Sequence, residues 1–180
     1  MIIRRAEYAE TIYHIELVMS FLRYLMLLSL VVWVGGLIFF AFVVAPTVFN
    51  QSVLPTRHLA GNVVSRSLTA LHWMGIVSGL VFLASSMIYS RMTTGEAHPF
   101  AARHILICIM LLLTIVSQFG ITPKMAALRA SMGEIDKIAL TDPARVHFDL
   151  LHVWSTRLEG GVLLLGLVVI YLTVNARAGT

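Results

Sequence analysis

The chain has 180 residues, of which 58% are apolar and 12% are charged, and its mean hydropathy is +0.87. A soluble domain carries about 25% charged residues, so this composition excludes a water-soluble fold and predicts a membrane protein. The net charge of +4 comes from scattered basic residues without a Lys/Arg-rich run, which argues against a nucleic-acid partner.

The N-terminal segment, residues 1–20, mixes charged and apolar side chains. Glu10 and Glu16 stand among Ile12, Ile15 and Leu17. The segment is too polar to cross the hydrocarbon of a bilayer, and the mixture is typical of a helix that lies along the membrane interface. We therefore expect a short amphipathic N-terminal segment before the first span.

Four apolar stretches follow, at residues 22–48, 67–89, 104–121 and 150–174. Each is close to or above the roughly 20 helical residues that cross a bilayer. The apolar runs are continuous, whereas barrel strands alternate, so helices are favoured. The first run is too long for a signal-peptide core, and we expect a permanent helix. These observations predict an all-α membrane fold, a four-helix transmembrane bundle with up-down-up-down topology, in which residues 1–180 form one domain.

Four crossings place the first and third connections on one side of the membrane, which we call the loop face. Both termini and the second connection then share the opposite side, the termini face. Lys and Arg residues are divided evenly between the two faces, so their count does not set the orientation. Arg4, Arg5 and Arg23 precede or begin the first span, which favours cytoplasmic termini in a bacterial inner membrane.

Two histidines lie at a similar depth below the loop face, one in the second span and one in the fourth. His72 shares a helical stripe with Gly75 and Gly79, and His152 shares one with Glu159. Small residues let helices approach closely in membranes, so we expect the His72 stripe to face the bundle interior. The two stripes predict a polar pocket near the loop face.

Several neighbouring side chains are candidates for the same pocket. Ser155 lies on the His152 stripe, and Gln118 approaches from the third span. Tryptophans are common in packing and near interfaces, and loop histidines are usually solvated. The other candidates for the pocket are Trp73, Trp154 and His147.

Two chemical interpretations of the histidines stay open. Neutral imidazoles on facing helices of a bundle ligate transition metals or haem iron, which makes His72 and His152 candidate ligands. In that case Glu159 is a further metal ligand, and Arg157 holds an anionic group such as a haem propionate. In the alternative, the histidines form interhelical hydrogen bonds, and Glu159 pairs with one of them or binds a proton.

Three sequence segments together resemble a known family. They are Trp33-Val-Gly-Gly-Leu-Ile-Phe-Phe-Ala-Phe-Val-Val-Ala-Pro46, Leu71-His72-Trp73 and Leu151-His152-Val-Trp-Ser155-Thr-Arg157-Leu158-Glu159. They resemble the bacterial domain of unknown function that is related to the eukaryotic transmembrane protein associated with cisplatin resistance. The first helix is more loosely similar to the membrane domain of the copper-resistance protein CopD. The resemblance extends over about residues 21–174 and implies a common polar site at His72, His152 and Ser155.

Three functions are consistent with these features. The first is a metal-handling or resistance protein that binds copper or haem. The second is a non-catalytic accessory or scaffold subunit that packs against a membrane-protein partner or a second copy. The third is a small proton-linked transporter that uses Glu159. The sequence has no P-loop, Gly-x-Ser-x-Gly, His-Glu-x-x-His or catalytic-triad spacing, so we do not expect an enzyme.

Overall fold

The computed structural model describes residues 2–50, 52–96 and 101–175, with side chains for Glu10 and from Ile12 onward within these ranges. The helices are α1 (Ile2–Phe39), α2 (Ala45–Val48), α3 (Arg57–Thr94), α4 (Ala102–Ile115), α5 (Thr122–Met132) and α6 (Pro143–Asn175). Two π-helical turns, Phe40–Val44 and Val116–Ile121, join α1 to α2 and α4 to α5, and a 3₁₀ turn occupies Ile135–Lys137. No strand occurs in this part of the chain, and the all-α prediction is confirmed.

Four helical segments are long and apolar enough to cross a membrane, which confirms the predicted multi-pass fold. They are Ile12–Val48, Arg57–Thr94, Ala102–Met132 and Pro143–Asn175. Each is longer than the apolar stretch that predicted it, because the helices continue into polar residues that flank the hydrocarbon. The side chains of Arg4 and Arg5, which favour cytoplasmic termini, lie outside the described set.

The N-terminal segment is helical, but it is not separate from the first span. Helix α1 runs without interruption from Ile2 to Phe39. The sequence contains no proline before Pro46 and no glycine before Gly35, so no residue in the first part of this helix favours a break. The expected interfacial helix is therefore the first part of a single long helix.

Both π-helical turns lie just before a proline. Pro46 follows Phe40–Val44, and Pro123 follows Val116–Ile121, each after one intervening residue. A proline lacks the backbone N–H, and its ring clashes with the carbonyl four residues earlier in a regular α-helix. The wider i→i+5 turn relieves this clash while the chain stays helical. The first and third spans therefore each contain one wide helical turn near the loop face.

The four spans pack around a common core in cyclic order. Helix α1 packs mainly on α3, α3 also contacts α4, α4 packs on α6, and α6 returns to α1. Trp33 has the largest of the fully buried side chains, and it lies against two glycines of α3. A Cβ on Gly75 would collide with Nε1 of Trp33, and one on Gly79 would lie 2.8 Å from its Cζ3. The glycine stripe therefore faces the bundle interior, as predicted, and His72 on the same helix is 1% exposed.

We expect Gly75→Ala to lower the thermal stability of the protein in mild detergent. The added methyl group forces Trp33 out of its position, and overpacking of this kind costs about 1–3 kcal/mol. Gly35→Ala is the matched control, because a Cβ there meets no atom within 4 Å. The control should melt at the wild-type temperature or slightly above it, since alanine favours helix. Equal melting temperatures for the two variants would contradict the close packing of α1 on α3.

Candidate functional site

His72 is buried inside the bundle, and both of its ring nitrogens are hydrogen-bonded to oxygen atoms. Nδ1 lies 2.8 Å from Oε1 of Gln118, and Nε2 lies 2.7 Å from Oε1 of Glu159. The hydroxyl of Ser117 donates to the same carboxylate oxygen at 3.0 Å. These four side chains, which we call the His72 network, join α3, the second π-helical turn and α6.

The hydrogen bonds of His72 determine which protons the network holds. If His72 is protonated, the imidazole donates from both nitrogens and an ionised Glu159 provides the opposite charge. If it is neutral, Nε2 accepts the hydrogen of a protonated Glu159 in the same geometry. The proton of the Nε2–Oε1 hydrogen bond lies between two groups that can each carry it. The His72–Glu159 pair is therefore chemically suited to hold and exchange a proton within the membrane.

The π-helical turn explains how two consecutive residues reach one site. In a regular α-helix, side chains at adjacent positions diverge by about 100°. The wider turn at Val116–Ile121 has more residues per turn, so Ser117 and Gln118 diverge less. Ser117 contacts Glu159 on α6, and Gln118 contacts His72 on α3. Pro123, which produces the wide turn, is thus a positioning residue for the network.

A cavity of about 430 Å³ lies beside the His72 network, between the loop-face ends of the spans. Its walls come from all four spans and from the connection after α5. Glu159 is the member of the network that lines the cavity, and Ser155 and His152 lie on the same wall. The side chain of Glu159 is 17% exposed, whereas that of His72 is 1% exposed. Glu159 is therefore the side chain through which the network contacts the cavity.

Three arginines line the cavity, and two of them have carboxylate partners. Arg57 Nε lies 3.6 Å from Asp136, and Arg145 Nε lies 3.0 Å from Asp149. Arg129 instead donates from a terminal nitrogen to the carbonyl oxygen of Gly61 at 2.8 Å. Within the described residues, Arg129 has no carboxylate partner.

The connection after α5 contains a further carboxylate that is already paired. Lys137 Nζ lies 2.9 Å from Glu134, and this hydrogen bond and charge hold the pKa of Glu134 below its ordinary value. The pair stays ionised at neutral pH, since the pKa of Lys137 is raised by the same contact. Glu134 is thus engaged by Lys137 and not by Arg129.

The model of a domain of unknown function, DUF4149, matches residues 28–134. This match covers more than half of the chain. The protein belongs to the DUF4149 family. The matched region contains His72, Ser117 and Gln118 and ends before Glu159. No curated protein and no solved structure matches the chain. The more specific resemblances to CopD and to the cisplatin-associated protein stay predictions.

In this DUF4149 protein, the residues predicted for the pocket divide into two groups. The structure brings His72, Gln118 and Glu159 into direct contact, and it places Ser155 and His152 on the wall of the adjoining cavity. On α6, His152, Ser155 and Glu159 all line the cavity, which agrees with their shared helical stripe.

The other candidates do not line the cavity. Trp73 is half-exposed and packs edge-on against Phe119, with ring centres 5.9 Å apart. Arg157 lies over the ring of the half-exposed Trp154, with 5.5 Å between Cζ and the ring centre. Residues next to an inward-facing position on a helix are turned by about 100°, which places these side chains on the outer surface. His147 is exposed near the start of α6 and also lies outside the cavity wall.

The arrangement of the histidines does not form a metal-ligand set. Among the described residues, no group of three or more His, Cys, Asp or Glu side chains is placed to hold a metal ion. A histidine ligates metal through the lone pair of a deprotonated nitrogen, and both nitrogens of His72 are engaged by Gln118 and Glu159. Ligation by His72 would therefore first require one of these hydrogen bonds to break.

Sequence reasoning missed several buried polar residues, among them Ser117 and His104. Ser117 completes the His72 network, and the signal for it was the Ser-Gln pair shortly before Pro123. His104 is 2% exposed near the termini face, with Nε2 2.8 Å from the hydroxyl of Ser86. His104, Ile107, Leu111 and Thr114 follow helical steps of three and four, a spacing that indicates an inward-facing stripe.

We expect Glu159→Gln to lower the thermal stability of the protein in mild detergent. The variant keeps the shape of the side chain but removes the charge that compensates the buried imidazolium, at a cost of about 1–3 kcal/mol. Glu134→Gln is the control for loss of an exposed carboxylate. A cycle with His72→Gln isolates the pairwise energy. Additive effects of the two substitutions would show that the residues do not interact.

Proposed function

We propose that this membrane protein is a small proton-linked transporter in which the His72–Glu159 pair binds the proton. One observation carries the proposal. A buried imidazole forms hydrogen bonds with side-chain oxygen atoms at both of its nitrogens, and one of these oxygens belongs to a carboxylate on the wall of a cavity. Ionisable groups within membrane spans are costly to keep and commonly form proton or solute pathways.

The pair converts proton binding into a change of local charge. With His72 protonated and Glu159 ionised, the pair is neutral overall. A proton taken up from the cavity by Glu159 leaves the imidazolium uncompensated, so the site becomes positive. Proton binding and the binding of a charged solute in the cavity then influence each other, and the effect is reciprocal. This provides the linkage that a proton-driven transporter requires.

The packing between the cavity and the termini face supports a carrier and not an open pore. Phe82 lies ten residues beyond His72 along α3, and Ile107 lies ten residues before Ser117 along the third span. Both side chains are fully buried, about 15 Å from the network towards the termini face. Together with Trp33 and Met110, they form an apolar layer that closes this side. Transport would require this layer to separate while the loop-face side closes.

Binding of copper or haem by His72 and His152 is the competing function. It is supported by the placement of both histidines in the same half of the bundle, with His152 and Glu159 on one cavity wall. The engaged nitrogens of His72 and the outward position of Arg157 favour the proton function instead. A scaffold function has less support, because Gly75, Gly79 and Gly166 already pack against side chains of neighbouring spans. We place the transporter, as a single domain, in a bacterial inner membrane with cytoplasmic termini.

Protein purified from cells supplied with iron and copper should show neither a Soret band nor stoichiometric metal. The reason is that the lone pairs of His72 are unavailable while its two hydrogen bonds persist. Absorption spectroscopy and elemental analysis test this expectation. A stoichiometric metal or haem that is lost in both His72→Ala and His152→Ala, with helical content unchanged, would overturn the proton function in favour of a cofactor protein.

Glu159→Gln should remove the proton-binding step. We expect wild-type protein in liposomes with an internal pH-sensitive dye to dissipate an imposed pH gradient several-fold faster than the variant. Infrared spectra should show a carboxyl band that grows as the pH falls and that is missing from Glu159→Gln. Glu134→Gln is the matched control and should behave like the wild type. Equal proton fluxes and identical carboxyl bands in wild type and Glu159→Gln would refute the proposal.

A further inference from the structure

Arg129 is held against the cavity by contacts that leave much of its guanidinium available. One terminal nitrogen donates to the carbonyl oxygen of Gly61, and the guanidinium carbon lies 5.3 Å from the ring centre of Phe148. A Cβ on Gly61 would lie 3.0 Å from Cζ of Arg129, so the glycine provides the space that this side chain occupies. No other hydrogen bond of Arg129 is formed within the described part of the chain. Its remaining N–H groups can donate to a ligand.

The charges around the cavity leave Arg129 without compensation. Arg57 and Arg145 are paired with Asp136 and Asp149, and Glu159 is paired with His72. A partly buried cation without an opposite charge is unfavourable, and an anionic ligand would supply the missing charge. Guanidinium groups bind carboxylates, sulfonates and phosphates through two parallel hydrogen bonds.

The rest of the cavity wall is mostly apolar, and its size is that of a small-molecule site. Cavities that bind small ligands have volumes of about 300–1,000 Å³, and this cavity measures about 430 Å³. The apolar side chains that line it include Leu37, Phe40, Phe49, Leu68, Met125 and Leu163. Such a wall suits a hydrocarbon chain and not a hydrated inorganic ion.

We infer that the cavity binds a single-chain organic anion, with its acidic headgroup at Arg129 and its hydrocarbon chain along the apolar wall. The inference rests on the proposed transport function and names its substrate class. The same chemistry is found in fatty acids that enter from the bilayer and in shorter organic acids that enter from water.

The anion and the proton should bind cooperatively. An ionised Glu159 on the cavity wall repels the anion, and a proton on Glu159 removes this repulsion. The other charged or titratable groups that line the cavity are Arg57, Arg145, Asp149 and His152, and His72 contacts Glu159 behind the wall. Arg57 is paired with Asp136, Arg145 with Asp149 and His72 with Glu159, whereas His152 is not part of these pairs and needs its own control.

The test is equilibrium binding of octanesulfonate to the full chain in nanodiscs of phosphatidylcholine. A sulfonate stays ionised at every pH used, so any pH dependence comes from the protein. Arg129→Gln should weaken binding about tenfold or more, since a charge-assisted hydrogen bond is lost. Arg66→Gln removes the same charge from an exposed position on the loop face outside the cavity, and should leave affinity unchanged. Gly61→Ala keeps the charge but displaces the guanidinium, and should also weaken binding.

Competition experiments define the ligand class and its source. Octanol and octyltrimethylammonium, which lack a negative charge, should not compete. Displacement by hexadecanoate added to the bilayer supports a lipid-derived anion, and displacement by octanoate alone supports one from water. Wild-type affinity in Arg129→Gln, or equal competition by octyltrimethylammonium, would overturn the anion site.

The dependence on pH separates this inference from the proposed function. Octanesulfonate should bind wild type and His152→Gln more tightly as the pH falls, and its binding to Glu159→Gln should show no such dependence. Binding that requires Arg129 but is independent of pH in the wild type would retain the anion site and reject the proton linkage. Proton movement through Glu159 without octanesulfonate binding would reject the anion site alone.

Discussion

The hydrogen bond between His72 and Glu159 limits how the second and fourth spans can be arranged. Each partner is an ionisable group in an apolar bundle, and leaving either one without the other would cost about 1–3 kcal/mol. Contact between them satisfies both groups, and Ser117 and Gln118 fix the third span at the same point. The first span takes no part in this network. It is instead fixed against α3 by Trp33, whose ring packs on Gly75 and Gly79.

The wide turns before Pro46 and Pro123 connect this packing to the cavity. Phe40 and Ala41 belong to the first wide turn and line the cavity, while Ser117 and Gln118 belong to the second and are part of the His72 network. Because a wide turn displaces the backbone from the axis of the preceding helix, the spans cannot remain in close contact near the loop face. The two prolines thus create space at one end of the bundle, and the glycine contacts keep the rest closed.

The sequence was sufficient to predict the spans and the inward face of the His72 stripe. Hydrophobic length identifies a span, and the spacing of His72, Gly75 and Gly79 identifies a face, because both are local properties. The partner of His72 is not a local property. His152 and Glu159 share one stripe of α6, about 10 Å apart, so spacing alone could not choose between them. The choice depends on the position of α6 along the bundle axis relative to the other spans. This position is set by contacts between residues far apart in the sequence, such as Gly166 against Val34.

The placement of Glu159 gives one carboxylate two physical roles. It is hydrogen-bonded to a histidine that is almost completely buried, and it is also part of the cavity wall. If the carboxylate contacted only His72, protonation of the pair would not affect the binding of a ligand in the cavity. If it only lined the cavity, it would not be coupled to the packing of the bundle. Because it does both, a change of charge in the cavity alters the hydrogen bond that holds the second and fourth spans together. Under the proposed function, the contact that stabilises the fold is therefore also the one through which ligand and proton act on it.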